Sequence, residues 1–393
     1  GLAALLYAID DAHGLPVGWL ANRNAVVATF FGVLAIMAHD AWRRHNKRWA
    51  IVGGPLLLGA SVLSAEAGIG TCAYLLAYAL FLDNGLWRRR LASLLPYAAV
   101  IVAWRVAWSL QGYGADGLGL YADPLHDPLT FLGNLLRLAP VLLLGQWALP
   151  PADITILLGP AGLRALWVAA VVVLVGLAVL LWPTVRRDRV ARFWACGMLL
   201  AVVPIAATFP SDRLLFFVGL GAMGLLSSFM VCVFERPRRW GWLVPAAILA
   251  VIHLVIAPVG LVLRSAYPAG PEQGVQALFV RTPLDEHVAD QDLVIVNAPS
   301  VAHALYLPVV RALENQPVPR RTWVLAPAVP SVSVTRLNDR TLRVRPASGY
   351  LAFTFDTLFR NQRYPMSVGQ QVHLTGLTVE VTALTADHRP AEA

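Results

Sequence analysis

A few ionisable side chains interrupt the apolar stretches of this 393-residue chain, and these are the residues that could do chemistry. The clearest case is "VLSAEAGIGTCAYLLAYALF" (62–81), where Glu66 stands in a stretch otherwise composed like a membrane span. A charged side chain at membrane depth costs about 3 kcal/mol or more, so it usually faces a cavity or a partner. Arg105, within "VAWRVAW" (102–108), is a second such charge.

The other candidates stand at the ends of the apolar stretches. The substrate-binding candidates are Asp10, Asp11, His13, Arg23, Arg105, Asp212 and Arg213, and Glu66 is the candidate catalytic carboxylate. An arginine fork can donate two hydrogen bonds to a phosphate. A carboxylate beside an acceptor hydroxyl can act as a general base. Together these residue types predict a polar cavity at one membrane surface, where a phosphate binds and a hydroxyl is deprotonated.

Structural interpretations of the same residues stay open. Asp212 and Arg213 could form a capping pair in a tight turn, and Glu66 and Arg105 could be each other's partners. The segment "YADPLHDP" (121–128) could be a solvated loop that carries Asp123, His126 and Asp127. The aromatic residues expected in an interfacial belt are Trp19, Trp108, Trp147, Tyr113 and Tyr121.

These side chains must be positioned by membrane helices. The chain is 58% hydrophobic and only 14% charged, with a mean hydropathy of +0.62, outside the range of ordinary soluble domains. The predicted spans are 1–9 (truncated), 24–39, 50–64, 66–83, 92–110, 161–183, 193–209, 213–234 and 241–263. The fold class predicted for residues 1–265 is therefore an all-α polytopic membrane bundle of about eight or nine spans. Residues 131–149 are apolar too, but Arg137 and Pro140 interrupt them, so we expect this segment to lie flat or re-entrant.

The positive charges predict the orientation of this bundle. The net charge is +8, and the whole excess lies in residues 1–265, in short loops between spans, which argues against nucleic-acid binding. Four clusters fall on one face in the alternation of spans: Arg43, Arg44, Lys47 and Arg48; Arg88, Arg89 and Arg90; Arg186, Arg187, Arg189 and Arg192; and Arg236, Arg238 and Arg239. The positive-inside rule makes this face cytoplasmic, so the candidate residues face outward.

Residues 266–393 predict a small extracytoplasmic α+β domain. The segments 292–298 and 321–327 are typical of strands that flank an apolar helix near 301–313. Alternation around Asn338 and Asp339 predicts a hairpin over 332–345, and 370–384 predicts another strand pair. No metal-binding spacing is present, and the three cysteines lie in apolar runs; no cofactor is implied, and a divalent metal stays open.

Three segments, in the same order, resemble the transmembrane O-mannosyltransferases that carry tetratricopeptide tails, within the GT-C glycosyltransferase class. The first is "AIDDAHGLPVGWLANRN", which supplies His13, Val17, Trp19 and Arg23 at the family's spacing. The second is Ser64-Ala65-Glu66, and the third is "DRLLFFVGLG", which keeps Arg213, Leu215, Leu220 and Gly221 with Asp212 in place of Glu. The chain departs from the family at Leu15 and Ala65 and has no tetratricopeptide tail, so the sugar and the acceptor stay open.

The resemblance implies an integral membrane glycosyltransferase with a polyprenyl-phosphate-linked sugar donor and a protein or glycan acceptor. It also implies an active site on the periplasmic side of a bacterial inner membrane, where the C-terminal domain would lie. The first apolar run, 1–9, is too short to span and no signal-peptide pattern is present, so we expect a fragment. The family's main catalytic carboxylate would then lie upstream of Gly1.

Two alternatives remain: a flippase or transporter for lipid-linked saccharides, and a non-catalytic membrane scaffold. Convergence of Glu66, Arg105 and Arg213 on one outward-opening cavity would favour the enzyme. A polar channel through the bundle would favour the transporter, and scattered positions would favour the scaffold.

Overall fold

The computed structural model describes residues 1–114, 121–235, 240–267, 275, 276, 280, 286–353, 356, 360 and 364–393. The described residues divide into two compact units, one formed by those up to residue 267 and the other by those after it. The predicted domain boundary at residue 265 lies beside this division. The first unit is helical, and the second contains small sheets.

Thirteen labelled helices of the first unit follow one another along the chain. They are α1 (Leu2–Ala8), α2 (Gly14–Gly18), α3 (Asn24–His45), α4 (Trp49–Ser64), α5 (Thr71–Phe81), α6 (Trp87–Ala92), α7 (Leu95–Leu110), α8 (Pro128–Trp147), α9 (Pro160–Arg187), α10 (Arg189–Ile205), α11 (Phe216–Glu235), α12 (Trp240–Val251) and α13 (Ala257–Ala266). A π-helical turn, Ile252–Ile256, joins α12 and α13. Short 3₁₀ turns at Asp11–His13, Leu20–Asn22, Glu66–Gly70, Ala152–Leu157 and Asp212–Leu214 complete the connections.

Six helical stretches in the described part of the chain are long and apolar enough to cross a membrane. They are Leu20–His45, Trp87–Leu110, Pro128–Trp147, Pro160–Arg187, Phe216–Glu235 and Gly241–Ala266. The prediction of eight or nine spans left out Pro128–Trp147 and counted α1, α4, α5 and α10, but these four helices have 7, 16, 11 and 17 residues. A helix needs about 20 residues to cross the hydrocarbon core alone. A helical membrane protein is therefore supported, and the number of spans stays a prediction.

Small residues let the helices around Phe217 approach closely. A Cβ on Gly32 of α3 or on Gly70 would lie within 3 Å of the Phe217 ring. Gly197 of α10 packs against the ring of Tyr74 in the same way, and the Tyr74 hydroxyl donates to the carbonyl of Phe217. Without a hydrophobic driving force between helices in lipid, such close packing is a main source of helix association. It fixes α3, α5, α10 and α11 as the centre of the bundle.

Arginines from three basic clusters meet at one end of the bundle, on the loop Phe81–Gly85. The Arg43 Nε lies 2.7 Å from Asp83 Oδ2, Arg90 Nε donates to the carbonyl of Gly85 at 2.7 Å, and Arg189 Nε donates to that of Phe81 at 2.8 Å. We call this the basic end. The three described clusters therefore lie together, as the alternation predicts; Arg236, Arg238 and Arg239 lie outside the described residues.

Hydrogen bonds made before α8 and near its C-terminus both lead to the end of the bundle opposite the basic end. Six residues before α8, the amide of Ala122 donates to the carbonyl of Ala207 at 2.8 Å, beyond the end of α10. Near its C-terminus, Gln146 Nε2 donates to Asp10 Oδ2 at 2.6 Å. Both contacts agree with a helix that does not cross the membrane, and the flat or re-entrant placement of 131–149 stays a prediction.

In the second unit, the helix α14 (Val301–Leu313) lies in the chain between two parallel strands, β1 (Asp292–Ile295) and β2 (Arg321–Val324). This is the strand–helix–strand order that the sequence predicts. The predicted hairpin forms as β3 (Val332–Asn338) and β4 (Thr341–Pro346), which are antiparallel. The remaining strands are β5 (Gln371–Leu374), β6 (Leu377–Glu380), β7 (Ala383–Leu384) and β8 (Pro390–Glu392).

Candidate functional site

The end of the bundle opposite the basic end carries most of the candidate residues. The helix α10 starts with Arg189 at the basic end, so its other end, Ile205, leads into the turn that holds Asp212. Asp10, Asp11 and Asp153 lie on neighbouring connections, and we call this the acidic end.

Asp10 is buried at the start of the 3₁₀ turn Asp11–His13. Its Oδ1 accepts from the amide of Ala12 at 3.0 Å, and its Oδ2 accepts from Gln146 Nε2 at 2.6 Å. Burial raises the pKa of Asp10 to about 6, although these hydrogen bonds and the charge of Arg264 oppose the rise. Asp10 thus holds α8 against the chain that follows α1, and at neutral pH it is close to its titration range.

Arg264, at the end of α13, joins two of the predicted carboxylates. Its Nη1 lies 2.7 Å from Asp212 Oδ2, and its Nε lies 3.4 Å from Asp11 Oδ2. Burial raises the pKa of Asp212 to about 6, although Arg264 acts in the opposite direction. Asp11 keeps 28% of its side-chain surface exposed, whereas Asp212 is almost fully buried. Asp11 is thus the carboxylate of this cluster that a substrate can reach.

A fourth carboxylate, Asp153, fixes the turn around Asp212. The Ser211 hydroxyl donates to Asp153 Oδ1 at 2.6 Å, and the amide of Asp212 donates to Asp153 Oδ2 at 3.2 Å. In return, the amide of Ala152 donates to Asp212 Oδ1 at 2.8 Å. The two turns therefore hold each other in place. Asp212 pairs with Arg264 here, which excludes the interpretation that it pairs with Arg213.

His13 lies in an aromatic contact and does not point to solvent. Its ring stacks on Phe216, with centroids 4.3 Å apart, and meets the edge of Tyr7 at 4.5 Å. Burial lowers the pKa of His13 to about 4, so the ring is neutral at pH 7. A neutral, buried imidazole is a poor phosphate ligand. The predicted substrate-binding role of His13 therefore receives no support from its surroundings, and the residue connects α1 to α11.

Glu66 and Arg105 form a separate group, on either side of Trp108. Trp108 Nε1 donates to Glu66 Oε1 at 2.8 Å, and the guanidinium carbon of Arg105 lies 4.4 Å from the centroid of the Trp108 ring. The ionic partner of Arg105 is Asp123, with Nη2 2.6 Å from Oδ2. Glu66 is exposed at the turn after α4, so its carboxylate is open to solvent or substrate. The Trp108 indole is therefore hydrogen-bonded to Glu66, and its place in an interfacial aromatic belt stays a prediction.

Arg23 and Arg213 have no carboxylate partner among the described residues. Arg23 is exposed, and its Nε donates to the carbonyl of Val17 at 3.2 Å. The guanidinium carbon of Arg213 lies 5.3 Å from the centroid of the Phe209 ring. Both cations lie at the acidic end, where Arg264 is already paired with Asp212. They are therefore available to an incoming anion.

The predicted residues thus fall into two groups and do not form one. Asp10, Asp11 and Asp212 meet around Arg264, whereas Glu66 and Arg105 meet at Trp108. Arg213 follows Asp212 in the chain but points to Phe209, so the expected convergence of Glu66, Arg105 and Arg213 is not observed in their contacts. In the described part of the chain, no set of three His, Cys, Asp or Glu side chains could hold a metal ion.

Sequence reasoning missed three residues of the main group: Arg264, Asp153 and Gln146. Arg264 is a lone cation at the end of an apolar run, and Gln146 is an amide near the end of another. A polar residue in such a position signals a buried partner. The sequence gives no indication of which partner, since Arg264 and Asp212 are far apart in the chain. Trp147 was expected in the aromatic belt, but it is buried, with its Nε1 3.3 Å from Met198 Sδ.

Comparison of the chain with protein-family models, with curated proteins and with solved structures finds no match.

Proposed function

We propose that this protein is an integral membrane glycosyltransferase that uses a polyprenyl-phosphate-linked sugar donor. Glu66, Arg105 and Arg213 do not converge on one cavity, which was the expectation for a scaffold; the observation that supports an enzyme is that both groups of residues lie at the end of the bundle opposite the basic end. Two reachable carboxylates, Asp11 and Glu66, share this end with Arg23 and Arg213, which have no carboxylate partner among the described residues. A donor whose lipid tail lies in the membrane would place its phosphate at the membrane surface, at the level of these side chains.

The proposed orientation follows from the two ends of the bundle. Arginines collect at the basic end, and cytoplasmic loops carry an excess of Lys and Arg. We therefore assign the basic end to the cytoplasm and the acidic end to the periplasm of a bacterial inner membrane. Sugar transfer to a protein or glycan acceptor would occur on the periplasmic side, and the second unit would lie on that side too.

Each residue would have a separate role in the transfer. Arg213 and Arg23 would donate hydrogen bonds to the donor phosphate and stabilise the negative charge that develops on it. Glu66 or Asp11 would accept the proton of the acceptor hydroxyl as its oxygen bonds to the anomeric carbon. The bond between that carbon and the phosphate oxygen breaks, and its electrons leave with the phosphate. Asp10 and Asp212 are buried, so they would position the site and would not contact the substrate.

The proposal is tested with the full-length protein in liposomes, supplied with a polyprenyl-phosphate donor that carries a radiolabelled sugar. We expect transfer of label to an acceptor fraction, and an at least hundredfold slower rate for Arg213→Gln, because a donor to a developing negative charge is worth about 3 kcal/mol. Arg164→Gln is the matched control, since Arg164 is an exposed arginine in the first turns of α9 and should leave the rate unchanged.

Two results would contradict the proposal. One is equal turnover by the Arg213→Gln and Arg164→Gln proteins, which would remove Arg213 from the reaction. The other is transbilayer movement of the intact donor without any loss of label from it. That outcome would identify a flippase or transporter.

A further inference from the structure

The basic end contains two kinds of cations. Arg43, Arg90 and Arg189 are each bonded to the loop Phe81–Gly85, so their charges help to hold the fold together. Lys47, Arg48, Arg88 and Arg89 are all exposed and have no carboxylate partner among the described residues. The fold does not use these four charges, which makes them available to a ligand.

We infer that Lys47, Arg48, Arg88 and Arg89 form a headgroup site for an anionic phospholipid. The four residues lie on two adjacent connections, the turn between α3 and α4 and the start of α6. The bond between Arg43 and Asp83 holds the end of α3 against the loop that precedes α6. Clusters of Lys and Arg at the membrane surface bind anionic headgroups, with about 1 kcal/mol for each residue close to the surface.

Two tryptophans beside these cations support a position at the membrane surface. Trp49, directly after Arg48, is 62% exposed, and Trp87, directly before Arg88, is 53% exposed. Indole rings prefer the headgroup region, where one part of the ring is in apolar surroundings and its N–H can reach water. Each pair of cations therefore stands next to an interfacial anchor.

An apolar surface continues from the cations along α4 and α7. These helices pack side by side, since a Cβ on Gly54 would overlap the Tyr97 hydroxyl and one on Gly59 would touch Val100 at 3.7 Å. Val52 and Leu56 of α4, and Leu95 and Val102 of α7, are each more than 60% exposed. Cations next to such a surface fit a lipid, whose phosphate and acyl chains are covalently joined. A soluble anion or an acidic protein would use only the charges.

This site lies at the end opposite to the proposed glycosyl transfer and does not depend on it. The experiment is native mass spectrometry of the detergent-purified, full-length protein after incubation with equimolar phosphatidylglycerol and phosphatidylcholine. We expect the protein to retain phosphatidylglycerol over phosphatidylcholine by at least tenfold. Arg88→Gln/Arg89→Gln should lower this ratio at least tenfold, since each lost charge weakens binding about fivefold.

The matched control is Arg137→Gln/Arg164→Gln, which removes two exposed arginines outside the cluster and should leave the ratio unchanged. The thermal unfolding midpoint establishes that each variant is folded, and Lys47→Gln/Arg48→Gln tests the same site if the first variant is not. Equal retention of the two lipids by the natural protein would overturn the proposal. An equal loss of lipid selectivity in the control variant would also overturn it. Complete displacement of phosphatidylglycerol by millimolar inorganic phosphate would overturn it too, because it would indicate a site for soluble anions.

Discussion

Individual side chains at the acidic end are held in protonation states that their surroundings select. Asp10 is 3% exposed, and its hydrogen bonds from Ala12 and Gln146 do not fully offset the cost of burying a charge. Its pKa is therefore raised to about 6, well above that of an unfolded aspartate. His13 shows the opposite effect of the same burial, because burial disfavours its charged form and lowers its pKa to about 4.

The shifted pKa of Asp10 predicts how stability depends on pH. Between pH 3.8 and about 6, the folded protein holds a proton on Asp10 that the unfolded chain has lost. The contribution of Asp10 to the free energy of unfolding therefore decreases as the pH rises through this range. Asp10→Asn stays neutral, and the Gln146 amide, whose Oε1 has no hydrogen-bond partner among the described residues, can turn to accept from it. We expect the free energy of unfolding of the variant, relative to that of the natural protein, to increase by roughly 2–3 kcal/mol as the pH rises from 4 to 7.

The measurement is the free energy of unfolding of both proteins in detergent at several pH values. His13 is the same in both, so its opposite pH dependence cancels in the difference. Parallel curves for the two proteins would show that Asp10 titrates normally.

At the level of helices, the acidic end depends on close contact between α2 and α13. A Cβ on Gly14 would lie 2.5 Å from the Cβ of Arg264, and one on Gly18 would overlap the carbonyl of Ser265. The position of the Arg264 guanidinium between Asp11 and Asp212 follows from this contact, since Arg264 is carried by α13 and Asp11 precedes α2. Two glycines in the short α2 therefore set the geometry of an ion-pair cluster that neither of them touches through a side chain.

This contact predicts a contrast between two glycine substitutions. Gly18→Ala should destabilise the protein by about 1–3 kcal/mol, because the added methyl group pushes α2 away from the backbone of α13. Gly176→Ala, in the middle of α9 with open space around it, should be neutral or stabilising by up to about 1 kcal/mol. Unfolding in detergent measures both. Equal effects of the two substitutions would mean that the contact between α2 and α13 is loose.

The first unit as a whole has charged ends of different composition. Three arginines bind the loop at the basic end, whereas four aspartates surround Arg264 and Ser211 at the acidic end. A bundle with such ends has a preferred direction in a membrane, because positive loops are retained on the cytoplasmic side.

This asymmetry predicts which positions an impermeant thiol reagent reaches in intact cells. A cysteine at Leu157, which is 84% exposed at the acidic end, should be labelled from outside. A cysteine at Arg88 should be labelled only after the membrane is made permeable. A cysteine-free background is needed because Cys72, Cys196 and Cys232 are free thiols. External labelling at position 88 would reverse the orientation and move the proposed site to the cytoplasm.

Properties that depend on local composition follow from the amino-acid sequence alone. Hydropathy over about 20 residues indicates membrane helices, and alternation with turn residues indicates strands, so the long helices of the first unit and the hairpin β3–β4 were predicted near their observed bounds, whereas the short helices α2 and α6 were not predicted. The grouping of arginines at one end was also predictable, since it requires only the order of the spans and the positions of the charges.

The pairing of the charges, in contrast, depends on how the helices pack in three dimensions. Asp212 bonds to Arg264 and not to Arg213, and Glu66 bonds to Trp108 and not to Arg105. His13 lies between two aromatic rings, and its neutral state follows from that burial. Such pairings depend on the distance between residues that are far apart in the chain, and this distance is set by how closely the helices pack.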